Sequence, residues 1–160
     1  MFTLVKQLSD QRLYRWHSLL LNIHWNEFRV EHFRAINDAC AMIVGEHQQM
    51  SSIVVMRGQF HFDLSPEARR AGAALTKEWE GYNTGQAIVI EADGFKASLA
   101  RSLITGVNLL ARSKAKQKVF KDPREASQWV CALENQTPEL RDALPRIWPA
   151  LHQMLADLPS

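Results

Sequence analysis

Residues 53–90 read IVVMRGQFHFDLSPEARRAGAALTKEWEGYNTGQAIVI, and this stretch decides the fold class. It opens on Ile53-Val54-Val55-Met56, a short β-branched run closed by Arg57-Gly58. It ends on Ala87-Ile88-Val89-Ile90, a second run that is apolar at every position. Short runs without polar alternation are strands buried on both faces, as in a parallel sheet. Between them, Ser65-Pro66-Glu67 starts a helix. The serine can cap free backbone N–H groups, the proline suits the first helical position, and the carboxylate complements the helix dipole. The helix is expected to run to about Glu80, where Gly81 and then Asn83-Thr84-Gly85 stop it.

Working outward, the same alternation continues on both sides. Leu19-Leu20-Leu21-Asn22-Ile23-His24-Trp25 is too short for a typical helix and turns polar at Asn26-Glu27, so it reads as a strand. Leu13 to Trp16 is expected to pair with it antiparallel, and Phe2 to Lys6 to form a further edge strand. From Val30 the period lengthens: Phe33, Ile36, Cys40, Ile43, Val44 and His47 share one helical face, with Glu31, Arg34, Asp38 and Glu46 between them. Downstream, Phe95 to Ala111 is read as a helix with Leu99, Leu103, Val107 and Leu110 on one face. Val119-Phe120 follows as a brief strand. Asp122-Pro123-Arg124-Glu125 then starts a helix with core positions Ala126, Trp129, Val130 and Leu133. The fold class is therefore α/β: a mixed, mostly parallel sheet of four to five strands with helices packed on it.

A tail follows. Leu140, Leu144, Ile147, Trp148, Leu151, Met154 and Leu155 keep helical spacing, while Pro145 and Pro149 interrupt it, so two short helices or one kinked helix are expected. With 160 residues and no internal repeat or low-complexity linker, one domain is expected over residues 1–160, with a core at 13–133 and a helical tail at 137–158. Hydrophobic residues make up 46% and charged residues 22%, a globular balance. A net charge of +2 gives no reason to expect nucleic acid as a partner. No apolar run is long enough to cross a membrane, and Lys6, Asp10, Arg12 and Arg15 break up the first segment as no signal peptide would. Cys40 and Cys131 each sit inside an apolar helical pattern, which suits free thiols and a cytoplasmic setting.

Chemistry-bearing motifs are sparse. His17, His24, His32, His47, His61 and His152 show no metal-ligand spacing, and the two cysteines form no CxxC, so no metal is expected. The histidines read as isolated surface or partly buried residues, with His24 and His61 flanking strands where a pocket would lie. No nucleophile elbow is present; Ser51-Ser52 precedes a strand instead of following one. Neither a Walker loop nor a dinucleotide fingerprint occurs, so no cofactor is expected. Arg112, Lys114, Lys116, Lys118 and Lys121 form a basic patch that either meets an acidic partner or guards Val119-Phe120 as an edge strand. Trp16, Trp25, Trp79, Trp129 and Trp148 exceed what a core of this size needs. Core packing accounts for Trp129 and Trp25; Trp148, with Leu144 and Leu151, is read as packed within the chain, with the cover of a groove or of the second subunit of a homodimer as the alternative.

Leu19 to Leu133 resembles the STAS-like group, the domain of sulfate transporters and anti-sigma-factor antagonists, and in particular small stand-alone bacterial proteins near those antagonists. The likeness rests on strands Leu19–Ile23, Ile53–Met56 and Ala87–Ile90, the turn into Ser65, and the close Val119-Phe120-Lys121-Asp122 with Glu125-Ala126 and Trp129. In the antagonists a phosphorylatable serine sits at the helix start within Asp-Ser-Ser/Thr-Gly. Asp63-Leu64-Ser65-Pro66 keeps the Asp and a Ser, and lacks the adjacent Ser/Thr and the Gly. The resemblance implies a non-enzymatic regulatory or protein-interaction module with a protein partner at Gln59, His61, Asp63 and Ser65. Its alternative is a carrier or sensor of a small apolar ligand held between sheet and helix.

Overall fold

A computed structural model describes residues 1–61, 64–91 and 116–158, and between these residues 94, 98, 101, 102, 104–106, 109, 111 and 112; the side chains of residues 59–61 fall outside the description. Among the described residues six strands form one sheet in sequence order: β1 (Thr3–Gln7), β2 (Gln11–Trp16), β3 (Leu19–Glu27), β4 (Met50–His61), β5 (Asn83–Ile90) and β6 (Gln117–Phe120). The first two pairings are antiparallel, and β3 to β6 pair in parallel. The mixed, mostly parallel α/β architecture is the expected one, with both antiparallel entry strands present. The helices whose bounds lie in the described residues are α1 (Val30–His47), α2 (Pro66–Trp79), α3 (Pro123–Cys131), α4 (Pro138–Arg141) and α5 (Leu144–Ala156).

Successive side chains of a strand point to opposite faces, so each apolar run feeds two cores. Leu20, Val54, Met56, Ile88 and Ile90 meet Ala35, Ile36, Ala39, Cys40 and Ile43 of α1 and Ala68 of α2. Leu19, Leu21, Ile53, Val55, Ala87, Val89 and Phe120 meet Ala126 and Val130 of α3, Leu140 of α4, and Ile147, Leu151 and Leu155 of α5. The second core is closed by the tail. Two helices, not one kinked helix, satisfy its prolines: Pro138 starts α4, Pro145 lies in the first turn of α5, and Pro149 sits inside α5. Arg57 fastens that tail, its guanidinium donating to the Leu155 carbonyl at 2.6 Å and pairing with Glu91 at 2.8 Å.

Two local readings are corrected. Arg57-Gly58 does not close its strand. Trp25 pairs with Arg57 and Glu27 with His61, so β4 spends four residues where β3 spends two, and Gly58 takes φ +61° within that irregular stretch. A positive φ is open to glycine without strain, and the strand kinks and continues. Gly85, read as part of a helix stop, lies inside β5. A Cβ there would stand 2.6 Å from Leu133 Cδ1 and 3.2 Å from Trp129 Cη2, so any larger residue must displace the side chains at the end of α3. In the segment after β5, the described residues Ser98, Arg101, Ser102, Ile104, Thr105, Gly106 and Leu109 are helical. The expected face Leu99, Leu103, Val107 and Leu110 lies outside the described residues.

Candidate functional site

A cavity of about 140 Å³ lies between the sheet and the α1/α2 layer. Its floor comes from the strands: Leu20 and Asn22 of β3, Met50, Ser52, Val54 and Met56 of β4, Gln86 and Ile88 of β5, and Gln117 of β6. Its roof comes from Phe33, Ile36 and Cys40 of α1, from Leu75, Thr76 and Trp79 of α2, and from Ile104. Phe28, in the turn between β3 and α1, closes one side and stacks on Phe33 with ring centroids 5.2 Å apart. Trp79 is held by its indole N–H, which donates to Asn37 Oδ1 at 2.9 Å. Among the described residues that line the cavity, none is charged.

The floor is not uniformly apolar. Ser52 pairs with Gln86 and Gln86 with Gln117, so these three side chains lie in one row across β4, β5 and β6. Gln117 Nε2 donates to Gln86 Oε1. Ser52 is 3% exposed, and among the described residues its Oγ has no hydrogen-bond partner. On β3 the row continues to Leu20, while Asn22, opposite Val54, accepts from Gln11 Nε2 at 3.1 Å.

Beside the cavity stands a buried polar cluster that contradicts the reading of the histidines as isolated. His24 on β3, His32 in the first turn of α1, and Asp10 in the β1–β2 turn bring ligand-type atoms within 4.8 Å of one another. His24 and His32 are both 0% exposed. The Arg29 backbone N–H donates to His32 Nδ1 at 2.9 Å, which places the ring proton on Nε2, 2.9 Å from Asp10 Oδ1. Arg29 also reaches both Asp10 oxygens, at 3.2 and 3.3 Å. Both His32 nitrogens are thereby used, and a guanidinium already occupies the place of a cation beside Asp10. The arrangement latches the β1–β2 turn to the start of α1. Burial works to raise the Asp10 pKa, but the hydrogen bonds from His32 and Ser9 and the charge of Arg29 outweigh it and hold the carboxyl below its usual range. His24 donates through Nε2 to the Glu27 carbonyl at 3.0 Å and stacks on Phe28 at 3.9 Å, so the latch borders the cavity through Phe28.

Of the expected partner-contact residues, Gln59 and His61 lie in β4 with side chains outside the described residues, and Asp63 lies outside them altogether. Ser65 is exposed, and its Oγ accepts from the Ala68 N–H at 3.1 Å as the cap of α2. In the basic patch, Lys116, Lys118 and Lys121 are exposed along and beside β6, the last strand of the sheet, and Lys118 lies 5.2 Å over the Phe120 ring. That placement matches an edge guard. Arg112 is exposed with φ +52°, and Lys114 lies outside the described residues. Cys40 and Cys131 are free thiols in the two cores on opposite sides of the sheet. Trp129 and Trp25 are only half-buried; Arg12 covers Trp25 at 5.4 Å. Trp148 packs on His152 with centroids 5.3 Å apart. Among the described residues no helix is long and apolar enough to cross a membrane.

No family model matches the sequence, and no curated protein matches it. A solved structure does: an uncharacterized protein of the DUF3478 family from Shewanella loihica PV-4, described as having a SpoIIAA-like fold. The two are 13% identical with a TM-score of 0.53, over 82% of this chain and 93% of that one. At that identity the likeness shows the fold alone, and the fold is the STAS-like one that the sequence resembles.

Proposed function

We propose that the chain is a carrier or sensor that holds a small, mostly apolar molecule in the cavity between the sheet and α1/α2. One observation carries this reading: about 140 Å³ of space bounded by Val54, Met56, Ile88, Phe33 and Ile36, with no charged residue among its described lining. An engineered apolar cavity of roughly 150 Å³ accommodates benzene. Ligand sites are concave, mainly apolar, and carry a few polar groups that fix orientation.

Catalysis is not part of the reading. The histidine–carboxylate pair nearest the cavity spends both His32 nitrogens and the Asp10 carboxylate on the latch. Docking of a protein partner at Gln59, His61, Asp63 and Ser65 draws no comparable support, because the one described side chain there serves as a helix cap.

The test is thermal melting with toluene. At tenfold excess over Kd the ligand adds about 1.4 kcal/mol to stability, which raises Tm by about 4 °C in a chain of this size. Cys40→Leu, which fills the roof from α1, removes that rise while leaving the unliganded protein folded. A wild-type Tm that toluene does not raise contradicts the reading.

A further inference from the structure

We infer that the ligand of this cavity is an uncharged ring or short chain carrying one hydrogen-bonding group, and that Ser52 anchors that group. The inference deepens the reading of the cavity as a ligand site and rests on it.

A parallel strand covered by helices on both faces is ordinarily apolar on each. Here the face that lines the cavity breaks that rule at Asn22, which is paired with Gln11, and in one register row, where Ser52, Gln86 and Gln117 replace apolar side chains. Gln86 and Gln117 are joined by their own hydrogen bond. Ser52 differs: it is 3% exposed, it lines the cavity, and its hydroxyl has no partner among the described residues. A buried hydroxyl left without a partner is destabilising, and native proteins satisfy nearly all such groups. The group that completes Ser52 is therefore expected to enter from the cavity side.

The surroundings define its chemistry. A charged ligand would be desolvated with no counter-charge among the described lining residues, so the ligand is neutral. The volume admits about one six-membered ring with a substituent. Val54 and Ile88, one row further along the same strands, offer the apolar surface for that ring. A hydroxyl can both donate and accept, so an alcohol, a phenol or a carbonyl group would serve.

Phenol and toluene separate the two levels of the argument, since they share a shape and differ by one hydroxyl, and phenol is neutral at pH 7. Dissociation constants are measured by titration calorimetry for wild type and Ser52→Ala. In wild type both bind. In Ser52→Ala phenol weakens about tenfold, the equivalent of one hydrogen bond, while toluene stays within about twofold. The unliganded Ser52→Ala protein melts no lower than wild type, because the substitution removes an unsatisfied polar group. If both ligands respond alike to Ser52→Ala, or only toluene binds, the anchor is overturned and the cavity reading stands. If Ser52→Ala lowers the unliganded Tm by several degrees, Ser52 makes a structural hydrogen bond and the anchor is again overturned. If neither ligand binds wild type, the cavity reading itself fails.

Discussion

His24 shows what burial does to a single ionisable side chain in this protein. It is fully buried, and desolvation pushes its pKa down to about 4; the Glu27 carbonyl and Asp10 pull upward, and the Arg29 guanidinium pushes further down. The ring is therefore neutral in the folded state at pH 7. In the unfolded chain a histidine titrates near 6.5, so between about pH 6.5 and pH 4 the unfolded state binds the extra proton. Stability from this group is complete above the upper value and falls as pH drops through the window, by at most about 3 kcal/mol. Urea unfolding at pH 7, 5.5 and 4.5 is expected to show that fall, and His24→Gln, which keeps a donor toward Glu27, is expected to flatten much of it. An unchanged slope in His24→Gln would mean that burial does not hold the ring neutral. His47, also lowered chiefly by burial and then by His17, contributes in the same direction, which is why the variant and not the bare pH curve is decisive. The thiols follow the same logic: burial raises Cys40 to about 12 and Cys131 to about 11, leaving both unreactive at neutral pH.

Among the elements, β5 and α3 are joined most tightly where β5 has no side chain. Gly85→Ala would press a methyl group against Leu133 and Trp129, and Trp129 has little room to yield because its ring is tilted against Phe120 at 5.7 Å. Overpacking of this kind costs about 1–3 kcal/mol. Gly85→Ala is expected to lower Tm by several degrees. Gly85→Ala combined with Leu133→Ala is expected to cost less than the sum of the two single changes, since the second removes the nearest atom. Strict additivity in that cycle would place the strain elsewhere. Such element-level facts were only half legible in the sequence. The strand runs at Ile53 and Ala87, the caps at Ser65 and Asp122, and the prolines of the tail each carry a local signal, and each element formed where its signal lay. The glycines did not announce their roles. Gly58 and Gly85 both look like punctuation, yet one bends a strand that continues and the other admits a helix, because both depend on partners distant in the chain.

At the scale of the whole molecule, the sheet order and its two cores follow from apolar runs that feed both faces. The candidate site was much less visible. Ser52 and Gln86 each precede an apolar run and Gln117 opens Gln-Lys-Val-Phe, but only the strand register turns three separate polar residues into one row beneath a cavity. Asp10, His24 and His32 have no motif spacing, because three different connections bring them together. The five methionines offer a direct probe of the central claim, that this cavity takes a small ligand. Met50 and Met56 line it; Met1 is exposed, while Met42 of α1 and Met154 of α5 do not line it. Met ε-methyl NMR during a toluene titration is expected to show saturable shifts at Met50 and Met56, with Met1 and Met154 unmoved. Saturating toluene that leaves Met50 and Met56 in place, or shifts only Met1 and Met154, would contradict it.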